Sequence, residues 1–166
     1  MNSLLVISTL VTALGCGLIA GTFFAFSVFV MKALAALPPS QGIAAMQSIN
    51  IVVINPWFLG TFLGTAVVCI ALAIASLATW HKPGAACLLA GSALYVFGTV
   101  GVTMAFNVPR NDALAAVDPA SANAANVWAD YVRSWTAWNH VRTIAALAAA
   151  AFLTVALHLS NAGEAV

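Results

Sequence analysis

Charge is what this sequence has least of. Of its 166 residues only 5% are charged, five basic and four acidic. Soluble domains carry about a quarter charged residues. A water-facing surface cannot be built from so few, because 63% of the chain is hydrophobic. The hydrocarbon of a bilayer removes the need for one. The near-neutral balance of +1 implies no acidic or basic partner. It also excludes a nucleic-acid footprint, which requires clustered Lys and Arg. Cysteine is sparse as well. Cys16, Cys69 and Cys87 each lie inside an apolar run and read as small buried hydrophobes, not as a disulfide framework or a metal knuckle. There is no HExxH, no CxxCH and no glycine-rich phosphate loop. His81, His140 and His158 have no ligand spacing. Asp112, Asp118 and Asp130 are loop-borne acids that make only a weak set with His140. No metal site and no cofactor are predicted, with iron or copper left open.

What is present is long apolar runs. Leu4–Met31 and Pro56–Trp80 contain no charge, and Gly84–Phe106 is equally apolar. The fourth run, about Trp138–Leu157, is alanine-rich and carries Arg142 in its first turn, where the side chain can snorkel to the headgroups. A span needs about 20 apolar residues, and backbone satisfaction in lipid makes each run a helix. The expected fold is therefore all-α: one integral membrane four-helix bundle over residues 1–166, with spans of about 4–31, 56–80, 84–106 and 138–157. The first run has no basic n-region and is too long for an h-region, so it reads as a retained span and not as a cleaved signal. Pro38-Pro39 stops the first helix, Asn55-Pro56 fits an N-cap followed by proline, and His81-Lys82-Pro83-Gly84 is a tight turn. Trp57, Trp80, Trp135 and Trp138 fall near helix ends, as an aromatic belt would. Gly17/Gly21 and Gly60/Gly64 form GxxxG pairs, read as close helix packing within or between chains, which leaves a homo-oligomer open.

Two connections are long, 32–55 and 107–137. A short helix is predicted in each, after Ser40 and from about Ser121. With four spans both lie on one side of the membrane. Lys32, Arg110, Arg133 and Arg142 flank that side and only Lys82 the other, so the positive-inside rule places the long loops in the cytoplasm.

The scarce polar residues gather on the long-loop side. Gln47, Asn50 and Asn55 come from the first connection; Asn107, Arg110, Asn111 and Asp112 follow the third span; Asn139, His140, Arg142 and Thr143 open the fourth. Helix ends are polar wherever water is near, but Lys, Glu or Asp usually serve there. At 100° per residue, Trp128, Tyr131, Trp135, Trp138 and Arg142 share one arc, with Thr136, Asn139, His140 and Thr143 in the next. The aromatic stripe fits either an interfacial helix lying on headgroups or a wall over a pocket for a flat apolar molecule. His81 and His158 read as simple interfacial residues.

Several blocks resemble a known family. They are Gly21-Thr22-Phe23-Phe24-Ala25-Phe26-Ser27, Met46-Gln47-Ser48-Ile49-Asn50, Asn55-Pro56-Trp57-Phe58, Phe106-Asn107-Val108-Pro109-Arg110-Asn111 and Trp135-Thr136-Ala137-Trp138-Asn139-His140-Val141-Arg142-Thr143. Together they resemble the anthrone oxygenase-like membrane proteins, also headed DUF1772. The resemblance implies a multi-pass membrane fold. More loosely, it implies oxidation of polyketide anthrones to anthraquinones, the reaction linked to fungal members.

An anthrone can supply its own electrons to dioxygen once its methylene is deprotonated, so a protein acting on it needs a base, oxyanion donors and a dry, flat pocket. His140 is the candidate base, since imidazole ionises near neutrality. Asn139, Asn107 and Arg142 are candidate oxyanion donors. Trp135, Trp138 and Trp57 are candidate ring-stacking residues, with Asn50 and Asn111 as further ligand-binding candidates. The same residues would also suit a non-catalytic carrier for a small hydrophobic aromatic molecule, or a scaffold whose asparagines glue helices together.

Overall fold

A computed structural model describes residues 3–162. Among the described residues there are five helices: α1 (Ser3–Ala35), α2 (Pro39–Val52), α3 (Pro56–Ala78), α4 (Ala85–Ala115) and α5 (Ala124–Ala162). Four of them, α1, α3, α4 and α5, are long and apolar enough to cross a membrane, as the apolar runs require. α1 packs on α3 and α5, and α4 packs on the same two helices, so the four close into a ring. The first connection carries α2. In the second, the helical stretch expected from about Ser121 begins at Ala124 and runs unbroken into the last span. With 39 residues, α5 is about 58 Å long at ~1.5 Å per residue, roughly twice the hydrocarbon thickness.

Local chemistry sets the ends. Asn55 Oδ1 accepts from the backbone N–H groups of Trp57 (3.1 Å) and Phe58 (3.0 Å), capping α3 ahead of Pro56. Gly84 precedes α4 with φ +84°, and an added Cβ would stand 2.7 Å from the Ala156 carbonyl oxygen. Only glycine allows both that dihedral and that approach to α5.

The apolar interior has two parts. Between the spans, Cys16, Ile19 and Phe23 of α1 meet Phe62, Cys69 and Leu72 of α3, Leu88 and Tyr95 of α4, and Ala146, Ala149 and Leu153 of α5. Nearer the long loops, Met31 and Leu34 pack with Ile43 and Met46 of α2, Leu114, and Trp128, Tyr131 and Trp135 of α5. The alanines of α5 let α4 come close: a Cβ on Gly98 would lie 2.6 Å from Ala145 Cβ, and one on Gly91 3.0 Å from the Ala149 carbonyl oxygen. The GxxxG glycines behave differently. Nothing lies within 4 Å of a Cβ placed on Gly17, Gly21, Gly60 or Gly64. Close packing inside the chain therefore falls to other glycines, and these four face outward.

Three segments widen to i→i+5 turns: Phe26–Val30 in α1, and Leu94–Gly101 and Thr103–Asn107 in α4. Such π turns are rare and occur preferentially at functional sites.

Candidate functional site

On the long-loop side of the bundle a polar network runs through the seam of α1, α4 and α5. Asn139, fully buried, is its hub. Its Nδ2 donates to the Phe23 carbonyl (2.7 Å) and to Ser27 Oγ (2.7 Å), and its Oδ1 accepts from Arg142 Nε (2.8 Å). The Phe23 carbonyl lies just ahead of the Phe26–Val30 π segment, where the wider turn disturbs the ordinary i→i+4 ladder. Thr143 Oγ1 donates to the Asn139 carbonyl at 2.7 Å and lies 3.2 Å from Ser27 Oγ, so the Ser27 hydroxyl has a partner on each side.

Arg142 is only 5% exposed. Its guanidinium carbon sits 4.0 Å from the Phe23 ring centroid and 4.7 Å from that of Trp135. Beyond Asn139, its one further hydrogen bond is a long one from Nη1 to Thr103 Oγ1, 3.4 Å. Among the described residues the ion pair is Arg133–Asp130, on the surface, and no carboxylate pairs with Arg142. A guanidinium has five N–H donors, and a charge withdrawn from water without a counter-ion is costly.

The aromatic stripe of α5 turns inward. Trp128 stacks on Tyr131 (centroids 5.7 Å apart) and Tyr131 on Trp135 (6.2 Å), all three buried against α1, α2 and α4. Of the two readings of this stripe, a helix lying on headgroups does not fit these three residues. Asn111 Oδ1 accepts from both Tyr131 Oη (2.9 Å) and Trp135 Nε1 (2.8 Å). Asn107, fully buried, donates to the Trp135 carbonyl at 3.2 Å, and its Oδ1 has no partner. Asn50 Nδ2 and Trp128 Nε1 are likewise buried without one.

The sequence-derived set thus divides. Asn107, Asn111, Asn139, Arg142 and Trp135 meet in one buried cluster, and Asn50 comes up to it from α2. Trp138 lies beside it, stacked on Phe106 with centroids 3.5 Å apart. Trp57 is 87% exposed at the start of α3 and takes no part.

His140 is also apart from the cluster. It is exposed and lines a groove of about 360 Å³ with Ser27, Met31, Lys32 and Ala35 of α1, and Val132, Arg133, Thr136 and Ala137 of α5. Small-molecule sites run from about 300 to 1,000 Å³, so the groove has room for a flat ligand. It lies on the outer face of the α1–α5 seam, beside the π segment of α1. Ser27 connects the two regions: it lines the groove and also receives the hydrogen bond from Asn139. Ser27, Thr103 and Phe23 were not singled out as site residues from the sequence. Phe23 and Ser27 lie in the family-resembling block Gly21–Ser27, and Ser27 and Thr103 are hydroxyls inside apolar runs; those are their signals in the sequence.

The family model described as anthrone oxygenase matches residues 57–152, which takes in α3, α4 and most of α5, including every member of the buried cluster except those from α1 and α2. No curated protein and no solved structure matches. With more than half of its length matched, and with the four membrane-crossing helices described above, this chain belongs to the anthrone oxygenase family.

Proposed function

We propose that the protein oxidises a flat, hydrophobic phenolic or anthrone-type substrate with dioxygen, giving a quinone and water, in the groove between α1 and α5. The observation that carries this reading is the position of His140 on the wall of a ligand-sized, mainly apolar groove, with a buried cation behind the same wall. His140 removes a proton from the activated methylene, leaving an electron-rich anion. That anion passes one electron to dioxygen, and the resulting carbon radical and superoxide combine to form a C–O bond. The peroxide anion takes up the proton held by the imidazolium. The hydroperoxide then loses hydroxide from oxygen and the remaining proton from carbon, as water, and a carbonyl is left. The substrate supplies all the electrons, so the scheme calls on no flavin or metal. Asn107, Asn139 and Arg142 do not line the groove, so their contribution to the oxyanion is indirect, through the wall at Ser27. We further propose that the long-loop side, where the groove lies, faces the cytoplasm.

The test is oxygen uptake by the purified protein in detergent with an added anthrone. The wild type should consume oxygen in step with anthraquinone formation. Replacing His140 by alanine should lower the rate about 10²- to 10⁴-fold, the usual worth of a positioned base, with helicity and membrane insertion unchanged. Wild-type uptake in that variant removes His140 from the mechanism. Tight anthrone binding by the wild type with no uptake leaves a carrier in place of an enzyme.

A further inference from the structure

Arg142 is the one buried charge near the site, and nothing in its surroundings neutralises it. Its contacts are two aromatic rings, an amide oxygen and a distant hydroxyl. No carboxylate among the described residues pairs with it: α1 presents Phe23, α4 presents Thr103, and α5 itself presents Asn139, Trp135 and the phenol of Tyr131, the one titratable neighbour. A protein that holds a cation in this setting forgoes stability, and an intramembrane ionisable residue is by default a functional one. The field of such a cation is felt across a thin, water-poor wall. Ser27, on that wall, is two hydrogen bonds from the guanidinium by way of Asn139 (2.7 and 2.8 Å). A unit charge roughly 8–10 Å away, at an effective dielectric constant of about 20, shifts an ionisation equilibrium on the order of tenfold.

Resting on the groove assigned above, we infer that Arg142 is the fixed counter-charge of that groove: the protein binds its flat aromatic ligand in the ionised form, as a phenolate or enolate, and Arg142 favours that form through the wall without touching it. Arg142 is on this account a positioning and specificity residue and not a catalytic one. The other charged groups at the groove are Lys32, His140 and Arg133. The last is paired with Asp130 at 2.8 Å and is exposed, and Lys32 and His140 are exposed too, so solvent screens all three more than it screens Arg142.

The experiment uses the full chain in detergent and a hydroxyanthraquinone, which is product-like, cannot be oxidised as an anthrone is, and reports ionisation of its phenol in the visible spectrum. Bound to the wild type, the compound should ionise about one pH unit lower than in the same detergent without protein. In Arg142→Met the shift should vanish; in Arg142→Lys it should largely persist; in Lys32→Met most of it should remain. The methyl ether of the same compound, which has no proton to lose, should bind wild type and Arg142→Met within about twofold of each other. A shift that survives in Arg142→Met, or one abolished by Lys32→Met, overturns the inference, as does equal loss of both ligands in Arg142→Met. Failure of either compound to bind the wild type removes the groove and this inference with it. An intact shift with no oxygen uptake removes only the enzymatic reading.

Discussion

Two asparagines, each fully buried in the same cluster, carry different loads. Asn139 uses both ends of its amide, tying α1 to α5 and holding Arg142. Asn107 makes one bond, to the Trp135 carbonyl, and leaves its oxygen unpaired. Removing a fully engaged buried amide strands its partners, whereas removing a half-satisfied one also removes an unsatisfied group. Asn139→Ala should therefore destabilise the protein by about 2–3 kcal/mol, and Asn107→Leu should fall within about 1 kcal/mol of wild type, as measured by unfolding in mixed micelles. Arg142→Met should be neutral or stabilising in the same assay, because an apolar side chain replaces an uncompensated charge; a loss of several kcal/mol would mark the arginine as structural. The presence of Asn107, Asn111, Asn139 and Arg142 at one depth was legible in the sequence, because polar residues at the ends of apolar runs stand out. The separation of His140 from Asn139 was not. The arc shared by Thr136, Asn139, His140 and Thr143 is about 100° wide, and the edge of α1 falls within it. Asn139 and Thr143 turn under α1, and His140 turns out beside it.

At the scale of helices, close approach is achieved by glycines opposite alanines. Gly98 faces Ala145 and Gly91 faces Ala149, while Gly60 and Gly64 face outward. Gly98→Leu should push α4 from α5 and destabilise by about 1–3 kcal/mol or more, as overpacking does. Gly64→Ala should be tolerated or slightly stabilising, since alanine is the better helix former. A thermal-shift series in one detergent compares them directly, and equal losses would mean that the outward glycines are packed after all. The four crossing helices could be read from runs of apolar residues. The π segments could not, because they are a property of hydrogen-bond register and leave the composition of a span unchanged. The length of α5 was only partly visible, since its first half has the polarity of a loop. That half holds Trp128, Tyr131 and Trp135, whose buried faces are supplied by α2 and by the ends of α1 and α4.

For the molecule as a whole, the four crossings put α2, the Ala115–Ala124 connection and the groove on one side, and the His81–Gly84 turn on the other. Lys32, Arg110 and Arg133 stand on the first side and Lys82 on the second. On a background in which Cys16, Cys69 and Cys87 are replaced by alanine, a cysteine at Ala120 should resist an impermeant thiol reagent in intact cells, and one at Lys82 should react. The opposite pattern would reverse the proposed orientation.

The groove lies along the outside of the seam between α1 and α5, at the long-loop end of those two helices, where charged and apolar lining residues meet. On the function proposed above, a flat polycyclic substrate is already concentrated in the bilayer beside this groove, and it enters from and leaves into that phase. Its effective supply is then its mole fraction in lipid, not its molarity in the aqueous buffer. Diluting vesicles with additional phospholipid at a fixed total amount of substrate should slow turnover in proportion, while adding buffer should leave it almost unchanged.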